Sequence, residues 1–167
     1  MNRALILACG NPLRGDDAVA LHLARQIREQ FAGPEVFVHT TQQWTPEIAE
    51  LLSRCEVAIF LDASERFSPG FVHCEAITPY VGEGHALLTH SCNPSLLLLM
   101  SHQLYNRGPK HAYLLTVGAK SFAFSFSLSS PVQSAIPEAV AHIKSILSGA
   151  TYAPSFSAPW RVLSFRF

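Results

Sequence analysis

The most constraining feature of this chain is a regular alternation between apolar segments of strand length and segments with helical periodicity. Residues 4–9 form a continuous apolar run, which is typical of a strand buried on both faces. Apolar side chains then recur every four residues over 19–31, as on an amphipathic helix. The alternation predicts an α/β fold with an open, twisted, mostly parallel five-stranded sheet and helices on both faces. The other predicted strands are 36–39, 57–61, 71–77 and 112–117, and the other predicted helices are 45–52, 94–105 and 132–147.

The length of 167 residues suits one domain, because single cores usually contain about 100–200 residues. We expect residues 1–150 to form a single α/β domain and residues 151–167 to form a C-terminal extension of unknown role. The extension is too apolar for a solvated tail, so packing on the domain and contact with a partner are both open. Its large apolar residues are Trp160, Val162, Leu163, Phe165 and Phe167.

Composition excludes several classes of function. Twelve Lys and Arg balance twelve Asp and Glu, and such a neutral chain is poorly suited to nucleic acid or anionic membranes. The apolar run at residues 96–100 is far too short to span a membrane. The four cysteines are widely separated and form no Cys-x-x-Cys pair, which indicates reduced thiols and a cytoplasmic location.

Polar residues that follow the predicted strands are the candidates for chemistry, because ligands of open α/β sheets bind outside the carboxyl ends of the strands. Asp16 and Asp17 close the loop after the first strand, Asp62 follows the third strand, and His90 lies in a loop before a later helix. Two carboxylates and one imidazole at one edge of a sheet are a suitable set for a divalent metal ion. Asp16 also fits the N-cap of the following helix, and Asp17 complements that helix's dipole.

The same loop does not fit nucleotide binding. Gly10 and Gly15 have the spacing of a P-loop, but Asp16 and Asp17 stand where the Lys-Ser/Thr pair should follow. Two negative charges repel a polyphosphate, and Pro12 removes a backbone N–H donor. The sequence therefore predicts that no nucleotide binds here.

Residues 5–17 carry the sequence Gly-Asn-x-Leu-x-x-Asp-Asp after a hydrophobic strand, and this motif resembles the hydrogenase maturation endopeptidases. The resemblance continues through Ile-Phe-Leu-Asp-Ala at 59–63, Thr-His-Ser at 89–91 and Thr-Val-Gly at 116–118. With the segment at 128–143, it covers most of residues 3–148. The resemblance implies a phosphorylase/hydrolase-like version of the predicted fold.

It also implies an enzyme, a hydrolase that removes a short C-terminal extension from the large-subunit precursor of a nickel–iron hydrogenase after nickel insertion. Carried over by motif, Asp17, Asp62 and His90 would bind the nickel, which the substrate itself brings, and another divalent metal would be able to replace it. The precursor is then the expected partner, and we expect the protein to act as a monomer.

For the chemistry, the resemblance favours metal-assisted or aspartyl-type hydrolysis in which Asp17 and Asp62 are catalytic. Asp16, the nearest carboxylate outside the metal set, is considered as a general base. Residues 40–46 depart from the family pattern at the same edge of the sheet, so Gln43 and Trp44 are predicted to bind substrate together with Asn11.

Two alternatives remain open at this point. A response-regulator receiver, a signalling module, also has an acidic pair after its first strand, an Asp at the end of its third and a Lys after its fifth. Asp16, Asp17, Asp62 and Lys120 imitate that arrangement, so Asp62 would be phosphorylated in the presence of Mg²⁺. The other alternative is a catalytically silent relative that binds metal or peptide.

Overall fold

The computed structural model describes residues 2–31, 33–80 and 92–149. The strands are β1 (Asn2–Cys9), β2 (Val36–Thr41), β3 (Cys55–Ser64), β4 (Val72–Ala76) and β5 (His111–Gly118). The helices are α1 (Val19–Gln30), α2 (Ile48–Leu52), α3 (Pro94–Tyr105) and α4 (Ser130–Leu147), and a 3-10 turn at Gly15–Ala18 precedes α1. The strands form one sheet in the order β2-β1-β3-β5-β4, parallel except for β4. The predicted fold class is confirmed.

Helices cover both faces of this sheet, and alternate residues of the central strands supply the two cores. Ile6 and Ile59 pack with α1 and α4, whereas Leu7 and Phe60 pack with α2 and α3. All four side chains are fully buried. Burial on both faces explains why β1 and β3 have continuous apolar sequences instead of alternating ones.

The structure corrects the predicted start of the first helix. Asp16 lies inside the 3-10 turn, and Ala18 occupies the N-cap position of α1 without a side-chain capping bond. The interpretation of Asp16 as an N-cap is therefore wrong. Strand β3 continues to Ser64, so Asp62 lies within the strand and not after it.

The edge strand β4 contradicts the receiver alternative. Receivers have parallel strands in the order 2-1-3-4-5, whereas here β4 lies outside β5 and runs antiparallel to it. The turn before β4 is tied to the end of β5: the Gly70 N–H donates to the Gly118 carbonyl at 2.8 Å, and the Gly118 N–H donates to the Phe71 carbonyl at 2.8 Å.

Residues 151–167, predicted to be an extension, lie outside the described residues. Within the part of the chain that is described, none of the helices combines the length and the apolar character needed to cross a membrane.

Candidate active site

The polar residues of interest lie where the strand order reverses. Strand β1 has β2 on one side and β3 on the other, so the connections leaving β1 and β3 diverge and open a crevice at the carboxyl edge. Asp17 follows β1 and Asp62 lies near the end of β3. The two carboxylates are close enough for the charge of Asp17 to act on Asp62. The sequence-based expectation that these two residues converge is met.

Asp62 is a half-buried carboxylate in an unfavourable environment. Burial, together with the negative charge of Asp17, raises its pKa from 3.8 to about 6. Two hydrogen bonds oppose this rise: the Ala63 N–H donates to Oδ1 at 2.8 Å, and the Trp44 indole N–H donates to the carboxylate. Desolvation and a like charge outweigh these donors, so the ionised pair is poorly stabilised by protein groups alone.

A close approach of backbone to backbone places Asp17. A Cβ atom on Gly10 would lie 2.0 Å from the Asp17 carbonyl oxygen, so only glycine allows the end of β1 to pack against this turn. The Asn11 N–H then donates to Asp17 Oδ2 at 2.8 Å. The Asn11 side chain accepts from the Leu13 N–H at 2.9 Å and so shapes the loop; its role in substrate binding stays a prediction.

Asp16, next in the chain to Asp17, faces a quite different environment. It is 2% exposed, and its Oδ2 accepts from the Lys120 N–H at 2.8 Å and the Ser121 N–H at 3.4 Å. Ser129 donates its N–H to Oδ1 at 2.6 Å and its hydroxyl to Oδ2 at 2.8 Å. Burial alone would raise the pKa of Asp16, but these hydrogen bonds hold it below its usual value. Asp16 ties the loop after β5 to the 3-10 turn, which argues against its use as a general base.

Trp44 and Gln43 lie on the loop after β2, at the same edge. The Trp44 ring packs edge-to-face on Phe60 with centroids 5.4 Å apart, and its N–H reaches Asp62. Gln43 is exposed, and its carbonyl accepts from the Thr41 hydroxyl at 2.7 Å. Trp44 thus borders the carboxylate pair, while contact of either residue with substrate stays a prediction.

The thiol nearest to the pair is unsuited to nucleophilic catalysis. Cys9 is buried at the end of β1, and burial together with the charges of Asp62 and Asp17 raises its pKa to about 12. It is therefore a neutral thiol at physiological pH, whereas the nucleophile would be the thiolate. Burial also raises the pKa of Cys92. Both shifts therefore disfavour the thiolate form that a nucleophilic cysteine needs.

The described residues supply part of a metal site. Carboxylates are suitable ligands for divalent ions, and a cation between Asp17 and Asp62 would relieve their repulsion. Among residues 2–31, 33–80 and 92–149, no group of three or more His, Cys, Asp and Glu side chains is arranged to hold a metal ion. His90, the third predicted ligand, lies outside the described residues. The donors present fit the predicted ion, and the complete set stays a prediction.

Sequence reasoning missed two residues that build this edge. Ser129 supplies two of the four donors to Asp16 from a position 113 residues further along the chain, and such a contact leaves no local pattern. Gly10 was considered only for its spacing from Gly15 and as part of the family motif, although a glycine directly after a buried strand does indicate a close backbone approach.

The fold matches one class of solved structures: it is that of the hydrogenase maturation endopeptidases. One is the hydrogenase maturating endopeptidase HybD from E. coli, with a TM-score of 0.70 and 20% identity over 89% of this chain and 93% of that one. A hydrogenase 2 maturation peptidase from a Thaumarchaeota archaeon has a TM-score of 0.65 and 24% identity, over 88% of this chain and 99% of that one.

A third similar structure, the [NiFe] hydrogenase maturation protease HybD from Thermococcus kodakarensis, gives a TM-score of 0.63 and 22% identity over 86% of this chain and 98% of that one. No protein-family model matches the chain, and no curated protein matches it. At identities of 20–24% the similarity establishes the fold. The resemblance to hydrogenase maturation endopeptidases that the sequence predicts is therefore confirmed for the fold.

Proposed function

We propose that this protein is an endopeptidase that removes a C-terminal extension from the nickel-loaded large-subunit precursor of a nickel–iron hydrogenase. The observation that carries the proposal is the pair of carboxylates, Asp17 and Asp62, at the switch point of a sheet shared with structures named as hydrogenase maturation proteases. We expect the enzyme to act in the cytoplasm as a monomer.

In this proposal the metal ion arrives with the substrate. Asp17 and Asp62 are a pair of negative charges with too few donors, so a divalent cation on the precursor is recognised because it neutralises them. His90 is proposed as the third ligand. A bound ion would supply Lewis-acid polarisation of the scissile carbonyl or acidification of a water molecule.

The protein's own groups would orient the bound peptide and the attacking water. The Trp44 N–H and the Ala63 N–H fix the direction of the Asp62 carboxylate, which favours one geometry for a bound peptide. With a cation bound, Asp17 and Asp62 would be fully ionised ligands, and a carboxylate oxygen that is not on the ion would orient the attacking water by accepting its hydrogen bond.

The test is incubation of the purified protein with nickel-loaded and nickel-free precursor, followed by mass spectrometry of the large subunit. We expect the small mass loss only with the loaded form. Asp17→Asn, Asp62→Asn and His90→Ala should each slow processing by about a hundredfold or more, as removal of a group acting in the transition state does. Precursor loaded with another divalent ion shows whether nickel itself is read.

Glu29→Gln is the matched control, because Glu29 is an exposed carboxylate in the last turn of α1 that pairs only with Arg25 in the contacts described. It should process at the wild-type rate. Cleavage of both precursor forms at equal rates would contradict recognition of the metal. Binding of the loaded precursor without any cleavage would instead identify a silent relative.

A further inference from the structure

The loop between β5 and α4 carries exposed aromatic surface. We call residues 121–127 the Phe-rich loop; within it Phe124 is 73% exposed and Phe126 is 74% exposed. Their rings contact each other edge-to-face with centroids 5.2 Å apart. Together they present roughly 300 Å² of ring surface to solvent, which is within the size range of patches that are often functional.

The patch extends onto the loop that carries the site. A parallel bridge pairs Arg14 with Ser125, and the Ser125 N–H donates to the Leu13 carbonyl at 3.1 Å. Leu13, whose carbonyl accepts this hydrogen bond, therefore lies next to the Phe-rich loop, and it is itself 46% exposed. The apolar patch thus consists of Leu13, Phe124 and Phe126, contributed by two loops.

Hydrogen bonds hold the Phe-rich loop in a defined conformation. The Gly15 N–H donates to the Ser125 carbonyl at 2.9 Å, and Arg14 donates through Nε to the Phe122 carbonyl at 3.2 Å with its guanidinium 5.9 Å from the Phe122 ring. At its start, the loop is bound to the Asp16 carboxylate. A surface that is already ordered loses little conformational entropy when a partner binds.

The patch and the carboxylate pair belong to one continuous edge. Residues 13–15 bind the Phe-rich loop, and Asp17, two residues further along, acts electrostatically on Asp62. A polypeptide whose scissile bond lies at the pair reaches the patch without leaving this edge. The three patch side chains are apolar and uncharged, so an apolar segment gains the most from covering them.

We propose that Leu13, Phe124 and Phe126 bind an apolar segment of the precursor protein beside the scissile bond and so select which precursor is processed. This inference rests on the proposed function, because the occupant is the substrate of that site. The patch residues act on binding of the protein substrate and leave the chemical step to the carboxylates.

The experiment compares the wild-type protein with the double variant Phe124→Ser/Phe126→Ser in two assays on the nickel-loaded precursor: steady-state processing and equilibrium binding. Both rings are exposed, so the variant should keep the wild-type thermal unfolding curve. We expect KM and Kd to rise by about ten- to a hundredfold, as for the loss of two aromatic contacts at an interface. The kcat at saturating precursor should stay within about twofold of wild type.

Phe37→Ser is the matched control: Phe37 is 44% exposed but lies on the edge strand β2, opposite Leu5 and away from the carboxyl edge. Its KM and Kd should equal the wild-type values. Unchanged KM and Kd in the double variant would overturn the patch proposal while leaving the proposed function intact. If binding depends on the two rings but the precursor is not cleaved, the patch proposal stands and the proposed function is overturned. Failure of the wild type to bind the precursor would overturn both the patch proposal and the proposed function.

A second copy of the chain is the competing occupant of the patch. Sedimentation of the wild type and the double variant resolves this question, because a dimer that dissociates only in the variant would show that the patch joins two copies. A wild type that sediments as a monomer supports the assignment to the precursor.

Discussion

Asp16 and Asp62 lie at the same edge of the sheet, yet their surroundings differ in kind. Asp16 is almost fully buried and receives four hydrogen bonds that keep its pKa below the usual value. Asp62 is more exposed, receives fewer donors and faces a second carboxylate, so its pKa rises to about 6. A burial map alone would make Asp16 the anomalous residue. The number of donors shows instead that the hydrogen bonds to Asp16 outweigh its burial, whereas the two donors to Asp62 do not.

The largest effect that would sharpen this contrast is on stability. Asp16→Ala removes the acceptor for the backbone of Lys120, Ser121 and Ser129, and unpaired buried donors are costly. We expect the free energy of unfolding, measured by urea denaturation, to fall by about 3–5 kcal/mol. Asp17→Ala, next in the chain, should lower it by less than about 1.5 kcal/mol. Equal losses for the two variants would contradict the structural role of Asp16.

The second largest predicted effect is an increase in the free energy of unfolding, caused by a substitution of Asp62. The pKa of Asp62 is raised in the folded protein, so the penalty on the fold develops as the pH rises from 3.8, where the unfolded carboxyl ionises first, and is fully present above about 6. In metal-free buffer, Asp62→Asn should therefore increase the free energy of unfolding by about 2–3 kcal/mol at pH 7.5.

This gain should shrink as the pH falls below about 6 and should vanish only below about pH 3, where the wild-type carboxyl is neutral in both the folded and the unfolded state. Denaturation curves across this pH range, with EDTA present, measure it. A variant that is less stable than wild type at pH 7.5 would show that the Asp62 carboxylate is satisfied after all.

The smallest effect concerns one donor to Asp16. Ser129→Ala removes the hydroxyl hydrogen bond of 2.8 Å but keeps the N–H bond, so the free energy of unfolding should fall by about 1–2 kcal/mol at pH 7.

The pKa of Asp16 is lowered on folding, so the stabilisation from its hydrogen bonds is present above 3.8 and is lost as the pH falls through the lower folded value. The loss caused by Ser129→Ala should shrink in that acid range. A Ser148→Ala variant, whose hydroxyl donates to a carbonyl at an exposed helix end, provides the comparison. If the decrease in the free energy of unfolding caused by Ser129→Ala does not depend on pH, the Ser129 hydroxyl does not act through the Asp16 carboxylate.

The sequence predicts the fold well because its signals are local. Helix α3 has the predicted bounds, since Asn93 caps it with a hydrogen bond to the Leu96 N–H and Pro94 begins it. The antiparallel direction of β4 was not predicted, because it depends on pairing with a strand more than thirty residues away. Helix α2 begins at Ile48, later than the Thr45-Pro46 signal suggested, because residues 45–47 form turns.

The site was predictable only to the level of residue types at strand ends. Asp17 and Asp62 were found because the carboxyl ends of parallel strands share an edge. The separate role of Asp16 depends on Ser129, Lys120 and Ser121, whose approach is determined by tertiary packing. No spacing between neighbouring residues encodes how many donors a carboxylate will receive.

The reversed edge strand has a consequence for how a protein substrate would reach the carboxylate pair. Since β4 runs antiparallel to β5, its first residue lies at the carboxyl edge of the sheet, and two backbone hydrogen bonds join the preceding turn to Gly118. With a fifth parallel strand this turn would fall on the far side of the molecule. The β4 flank of this edge is therefore bordered by a turn fixed to the end of β5, so a protein substrate would meet hydrogen-bonded backbone on that side.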